Sequence, residues 1–197
     1  MGASDPNNMI VRTSKPKMTR ARAALIQVLE RYGLLEYRLS CIEIQKLGYF
    51  LKAAGEPTLQ TLKYGRFPHI PYSKELDRAV GRMEGHYIRG YGDGSDRARV
   101  QVLPAGRKAA QDFLKKEQTA NQCLERVSQL IEGFETPYGM EMLATLHWVA
   151  QEDSQAAQDC EVAIQRVQEW SDRKKNLFKP HHLAIAWNHL KTLGWLS

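Results

Sequence analysis

The sequence predicts a mainly α-helical, winged-helix-like fold carrying one small antiparallel β-ribbon. Three observations carry this. Apolar residues recur at helical spacing through most of the chain, as in Ala24, Leu25, Val28 and Leu29. Helix punctuation recurs as well: Ser40-Cys41-Ile42-Glu43 has the form of a capping box, and Pro104 and Pro180 stand where first helical turns begin. Finally, His86–Tyr91 and Arg99–Leu103 are rich in β-formers. They are separated by Asp93-Gly94, a turn pair that tolerates positive φ.

Taken in order, Met1–Lys17 is polar and reads as a linker or tag remnant, leaving residues 18–197 as one folded unit. Thr19 is placed to cap a helix over Ala21–Tyr32. The helix opened by Ser40 runs over Cys41–Ala54, with Ile44, Leu47, Phe50 and Leu51 inward, and ends at Gly55 and Pro57. Leu59, Leu62 and Tyr64 suit a short strand or a crossing segment. Lys63–Tyr72 is a basic-aromatic loop that two prolines deny a helix. Lys74–Met83 has Leu76, Val80 and Met83 on one face, and Gly85 is placed to end it. After the ribbon, a helix from Pro104 is expected to bury Ala109, Phe113 and Leu114.

Gln118–Gly133 continues with Leu124, Val127, Leu130 and Ile131 inward, and Pro137-Tyr138-Gly139 marks a boundary. Met140–Val149 is the most apolar helix, and His147 within it reads as a core histidine. Asp159–Lys174 is expected to be one regular helix on Val162, Ile164, Val167 and Trp170. Lys174 and Lys175 then complement its C-terminal dipole. A last helix from Pro180 turns Leu183, Ile185, Ala186, Trp187 and Leu190 inward and stops at Gly194.

Composition narrows the function classes. No apolar run approaches the roughly 18–20 residues that span a bilayer, and Met1–Lys17 has no apolar signal-peptide core, so a cytoplasmic protein without a membrane partner is expected. Cys41, Cys123 and Cys160 lack paired-cysteine spacing, which argues against a disulfide framework or zinc site. Charge is split: residues 1–120 hold 21 lysines and arginines against 12 carboxylates, whereas residues 121–170 hold two against nine. A basic half suits an acidic partner or nucleic acid, and an acidic segment suits a basic partner. No phosphate loop, HExxH or nucleophile elbow is present. Adjacent His181 and His182 point apart on a helix. A binding module without cofactor or metal is favoured over an enzyme.

Four stretches give the chain a resemblance: Pro16–Tyr32, Glu43–Phe50 (EIQKLGYF), Glu84–Gly94 (EGHYIRGYGDG) and Leu130–Ala150 (LIEGFETPYGMEMLATLHWVA). Across most of its length the chain resembles the C-terminal toxin-binding domain of the DarG antitoxins; a fainter similarity runs to Panacea domains. The resemblance implies a DarT-type partner toxin, which ADP-ribosylates thymidine in single-stranded DNA using NAD. It also implies that the hydrolase activity of the family sits in a macrodomain, which this chain is expected to lack; the chain is therefore expected not to be an enzyme. It departs from the family pattern where Tyr64-Gly65 continues as Arg66–Tyr72.

On that reading the candidate partner-binding residues fall in three places. Tyr64 and Arg66 lie in the basic-aromatic loop, where aromatics and cations can also serve bases and phosphates. Tyr87, Arg89, Tyr91 and Asp93 lie on the ribbon. Glu132, Glu135, Tyr138 and Glu141 flank the Pro137 turn and could place carboxylates where DNA phosphates lie in the toxin groove. Direct nucleic-acid binding by this chain is not expected under this reading; the alternative is a winged-helix DNA-binding module.

Overall fold

The computed structural model describes residues 13–33, 37–65, 71–92, 94 and 97–196. Among these, ten α-helices and one two-stranded antiparallel sheet make up the regular structure. They are α1 (Arg20–Tyr32), α2 (Cys41–Ala53), α3 (Lys74–Gly81), β1 (Ile88–Arg89), β2 (Gln101–Val102), α4 (Pro104–Leu114) and α5 (Gln118–Ile131). There follow α6 (Pro137–Glu152), α7 (Ser154–Gln158), α8 (Cys160–Trp170), α9 (Asp172–Leu177) and α10 (Pro180–Thr192). No described helix is long and apolar enough to cross a membrane.

Two helices are buried nearly all round and form the axis of the molecule. In α2 every residue from Glu43 to Leu51 is buried, and in α6 every residue from Gly139 to His147. A helix apolar on all faces belongs in the interior, and these two pack against each other. The Tyr49 hydroxyl meets His147 Nδ1 at 2.6 Å, and the Phe50 and His147 rings lie edge to face. Burial drives the His147 imidazole down to about 4, so the ring is neutral and accepts from Tyr49. Helices α1 and α5 pack on α2, with α4 against α1, and α7, α8 and α10 pack on α6. One apolar cluster runs from Ala23 to Leu196.

Local chemistry explains most of the element ends. Thr19 Oγ1 accepts from Arg22 N–H, and Ser40 and Glu43 close the capping box reciprocally. Thr136 caps α6 and Pro137 is its first residue, so the expected boundary at Pro137 is a helix start. The expected helix over Asp159–Lys174 is broken: Ser171 leaves helical backbone and recaps the chain as α9. Phe113 and Ile185, expected inward, are exposed, at 37% and 60%. In α4 the positions that face the core are Gly106, Ala110 and Leu114 instead. The segment after α2 contains a short 3-10 turn, Pro57–Leu59, and then runs through Leu62 and Tyr64 without a strand, as the crossing-segment alternative has it.

The small antiparallel ribbon is present and shorter than expected. Among the described residues Ile88↔Val102 and Arg89↔Gln101 pair as strands, extended by a bridge between Leu39 and Val100. Ile88 and Val100 are fully buried against the helices, because a two-stranded ribbon needs an apolar floor. Helix α3 stops at Gly81, before Gly85. Gly90 has φ 93° and no room for a side chain, since a Cβ there would sit 2.1 Å from Arg99 O.

Candidate functional site

Beneath the candidate surface lies a buried charge cluster. Glu141, on the first turns of α6, is 4% exposed. Its carboxylate accepts from Arg173 at 2.6 and 3.2 Å and from Lys174 at 2.7 Å. Lys174 also donates to Thr145, 2.9 Å away. Burial alone would raise the Glu141 carboxyl, but its cations outweigh that and hold it down to about 2. Burial keeps Lys174 below its ordinary value despite its partner. Nearby Lys46, wholly buried, donates to Pro71 O; burial first and Lys174 second push it down to about 7. Glu141 is therefore an interior counter-ion, contrary to its expected place on a partner-binding surface. Nothing in sequence spacing marked Lys46 or Lys174 as interior.

Above this cluster, the α5–α6 turn is held rigidly. Gly133 takes φ 82° to leave α5, and Phe134 N–H returns to Ile131 O at 2.8 Å. Phe134 stacks on His189 of α10, ring centres 4.9 Å apart, while His189 Nε2 meets Leu130 O. Tyr138 packs edge to face on Phe178 and its hydroxyl lies 2.9 Å from His182 Nδ1. Two aromatic–histidine pairs thus pin both ends of the turn to α10. Gly139 allows the helix to start there, since a Cβ would come within 2.6 Å of Phe134 O. Glu132 and Glu135 are left exposed, and neither makes an ion pair with a described residue.

A second node lies alongside. Glu43, fully buried, accepts from Tyr32 and Tyr37 hydroxyls at 2.6 Å each and from Ser40 N and Oγ at 2.7 Å. Burial raises the Tyr32 and Tyr37 hydroxyls, helped by Glu43. Glu135 adds to the Tyr32 shift, whereas Arg99 beside the ribbon opposes that of Tyr37. The acidic turn and the ribbon edge therefore flank one tyrosine pair, and Tyr37 is 38% exposed between them. Sequence reasoning missed Tyr37, although a tyrosine three residues before a cap is a visible signal.

The other predicted site residues divide. Tyr87 and Tyr91 are buried, at 3% and 6%. Tyr87 donates to Pro16 O at 2.7 Å, Tyr91 to the Asp77 carboxylate, and Glu84 accepts from Gly90 and Tyr91 N–H. These two aromatics hold the ribbon and are not offered to a partner. Arg89 is half-buried. Tyr64 packs on Tyr49, and with His147 and Trp148 lines a 470 Å³ pocket between α2 and α6, away from the turn. Arg66 and Asp93 lie outside the described residues. No group of three or more histidine, cysteine, aspartate or glutamate residues suited to a metal occurs among the described residues. The His181 and His182 rings contact each other edge to face, contrary to the expectation that they point apart.

No family model matches the chain. Individual relatives do. A protein from Thermus aquaticus named DNA ADP-ribosyl glycohydrolase is 37% identical over 183 residues, covering 93% of this chain and 49% of that protein. The chain is homologous to DNA ADP-ribosyl glycohydrolases. Proteins of the same name from Mycobacterium tuberculosis and Mycobacterium bovis are 31% identical over 188 residues, covering 86% of this chain and 52% of theirs. The chain spans about half the length of these relatives. The expectation that the chain is not an enzyme is overturned, because the glycohydrolases that align along it are named for an enzyme activity.

Proposed function

We propose that this chain is the partner-binding part of a DNA ADP-ribosyl glycohydrolase of the DarG antitoxin type. It neutralises a DarT-type toxin by seating the α5–α6 turn in the toxin's single-stranded DNA groove. The observation that carries the reading is the turn itself: two unpaired carboxylates, Glu132 and Glu135, on a backbone pinned to α10. A groove that grips DNA is cationic and lined with stacking partners. Carboxylates held at fixed positions lose little side-chain and loop entropy on docking. Tyr37 at the edge of the patch supplies an aromatic contact of the kind that dominates interfaces.

The test is to titrate the toxin with this chain by calorimetry and to follow toxin activity on single-stranded DNA. Glu132→Ala with Glu135→Ala should weaken toxin binding about tenfold or more, as loss of desolvated interface charges does, with no change in thermal midpoint. Equal affinity at physiological salt would refute a role for the turn.

A further inference from the structure

A cavity of about 630 Å³ opens on a different face, between the segment before α1 and the end of α3. Its described lining is Thr13, Ser14, Pro16, Lys17, Arg22, Arg78, Gly81 and Arg82. No carboxylate is among them, and none of the acidic residues of 121–170 reaches it.

The cations are arranged in a way that folding alone does not call for. Arg78 and Arg82 sit at the C-terminal end of α3, where positive charge complements the helix dipole. Lys17 and Arg22 face them from the N-terminal end of α1, where positive charge opposes the dipole and the first turn has no acidic residue. Arg20 in that same turn is neutralised by Glu56 and Glu117. Among the described residues Lys17 and Arg22 have no such partner: Arg22 donates one Nη1 bond to Lys17 O at 2.6 Å, and its buried Nε finds no acceptor there. Four like charges around one concavity repel, and an anion between them relieves that repulsion. Guanidinium forks suit the paired oxygens of phosphate. The volume matches sites for small organic ligands, well above that of a single ion.

We propose that this cavity is a phosphoryl-binding site, held by Arg22, Arg78, Arg82 and Lys17, that accepts a diphosphate group or the adjacent phosphates of a nucleic-acid strand. The Thr13 and Ser14 hydroxyls stand at its rim as further donors. The site does not depend on the toxin-binding reading, since it shares no residue with the α5–α6 turn. It runs against the sequence-based expectation that the chain does not meet nucleic acid, which followed from the toxin-binding reading.

The experiment measures binding of pyrophosphate, ADP and a short oligothymidylate to the full chain by calorimetry and thermal shift. Pyrophosphate should bind and raise the thermal midpoint. Arg78→Gln with Arg82→Gln, two exposed positions, should weaken binding about tenfold or more, and Arg22→Gln should do so independently. Lysine at positions 78 and 82 should restore part of the affinity. Removing the same charge elsewhere, through Lys116→Gln with Lys175→Gln, should change nothing. If oligothymidylate binds tighter than pyrophosphate, competes with it and weakens steeply with salt, the natural source is a strand. If ADP and pyrophosphate bind as well as the oligonucleotide, it is a free diphosphate. No binding by any probe, or equal weakening by the distant pair, would overturn the site.

Discussion

Glu135 and Glu141 are six residues apart in one acidic segment, and the fold puts them to opposite uses. Glu141 lies on the inward face of α6, ringed by Arg173, Lys174 and Thr145. Glu135 lies one turn earlier on an exposed loop with no ion pair to a described residue. The first is an interior counter-ion whose worth is measured in stability; the second is a surface charge whose worth can lie only in what it meets. Acidic composition therefore does not define an acidic face. Glu152, Asp153 and Glu169, from the same segment, gather around Arg166 at the far end of α6, roughly 24 Å from the turn at 1.5 Å per residue.

The sharpest way to break the comparison is Glu141→Ala. It leaves Lys174 buried beside Lys46 without a counter-charge, and should cost about 3–5 kcal/mol, read from denaturant midpoints. A variant as stable as the parent would show that water reaches the cluster.

The next largest effect is on pH. His147 has an ordinary value of 6.5 and is held at about 4 by burial, so the folded state resists a proton that the unfolded chain accepts. Its contribution is complete above about 6.5 and is lost as pH falls through about 4, a decline of about 3 kcal/mol. Denaturation midpoints across that window, with the His147 ring titrated by NMR, check it.

Gly139→Ala comes third. A methyl 2.6 Å from Phe134 O must push the turn off the start of α6, at about 1–3 kcal/mol. It should weaken toxin binding beyond what the stability loss explains; a change in stability alone would separate the turn from the partner.

Tyr138→Phe is the smallest. It removes the hydroxyl beside His182 but keeps the ring on Phe178, so about 1 kcal/mol or less is expected. Hydrogen exchange at Phe134–Gly139 should quicken while the α2 and α6 amides stay protected. Unchanged exchange would mean that the Phe134–His189 pair anchors the turn alone.

Much of the fold was legible because its signals are local. The Ser40–Glu43 box, the Thr19 cap, Pro180 and the glycine-terminated ends at Gly133 and Gly194 each act over a few residues. The strongly apolar run Met140–Val149 pointed to an interior helix. Even the two most specific strings are read this way: in IEGFETPYGME nearly every residue serves the turn or the core, leaving Glu132 and Glu135 over. In EGHYIRGYGDG the tyrosines and Glu84 are spent on holding the ribbon.

Tertiary structure decided the rest, and the reason is sequence separation. Lys174 meets Glu141 from 33 residues away, Tyr49 meets His147 across 98, and Lys17 and Arg22 face Arg78 and Arg82 over a cavity. A charge in a sequence has only a sign. Whether it is a buried counter-ion, a surface contact or one wall of an anion site depends on which distant elements pack beside it. That is set by how α2 and α6 dock, and no local pattern carries it. The sequence by itself determined where helices start, where they stop and which faces are apolar; the docking of those faces determined what each charge is for.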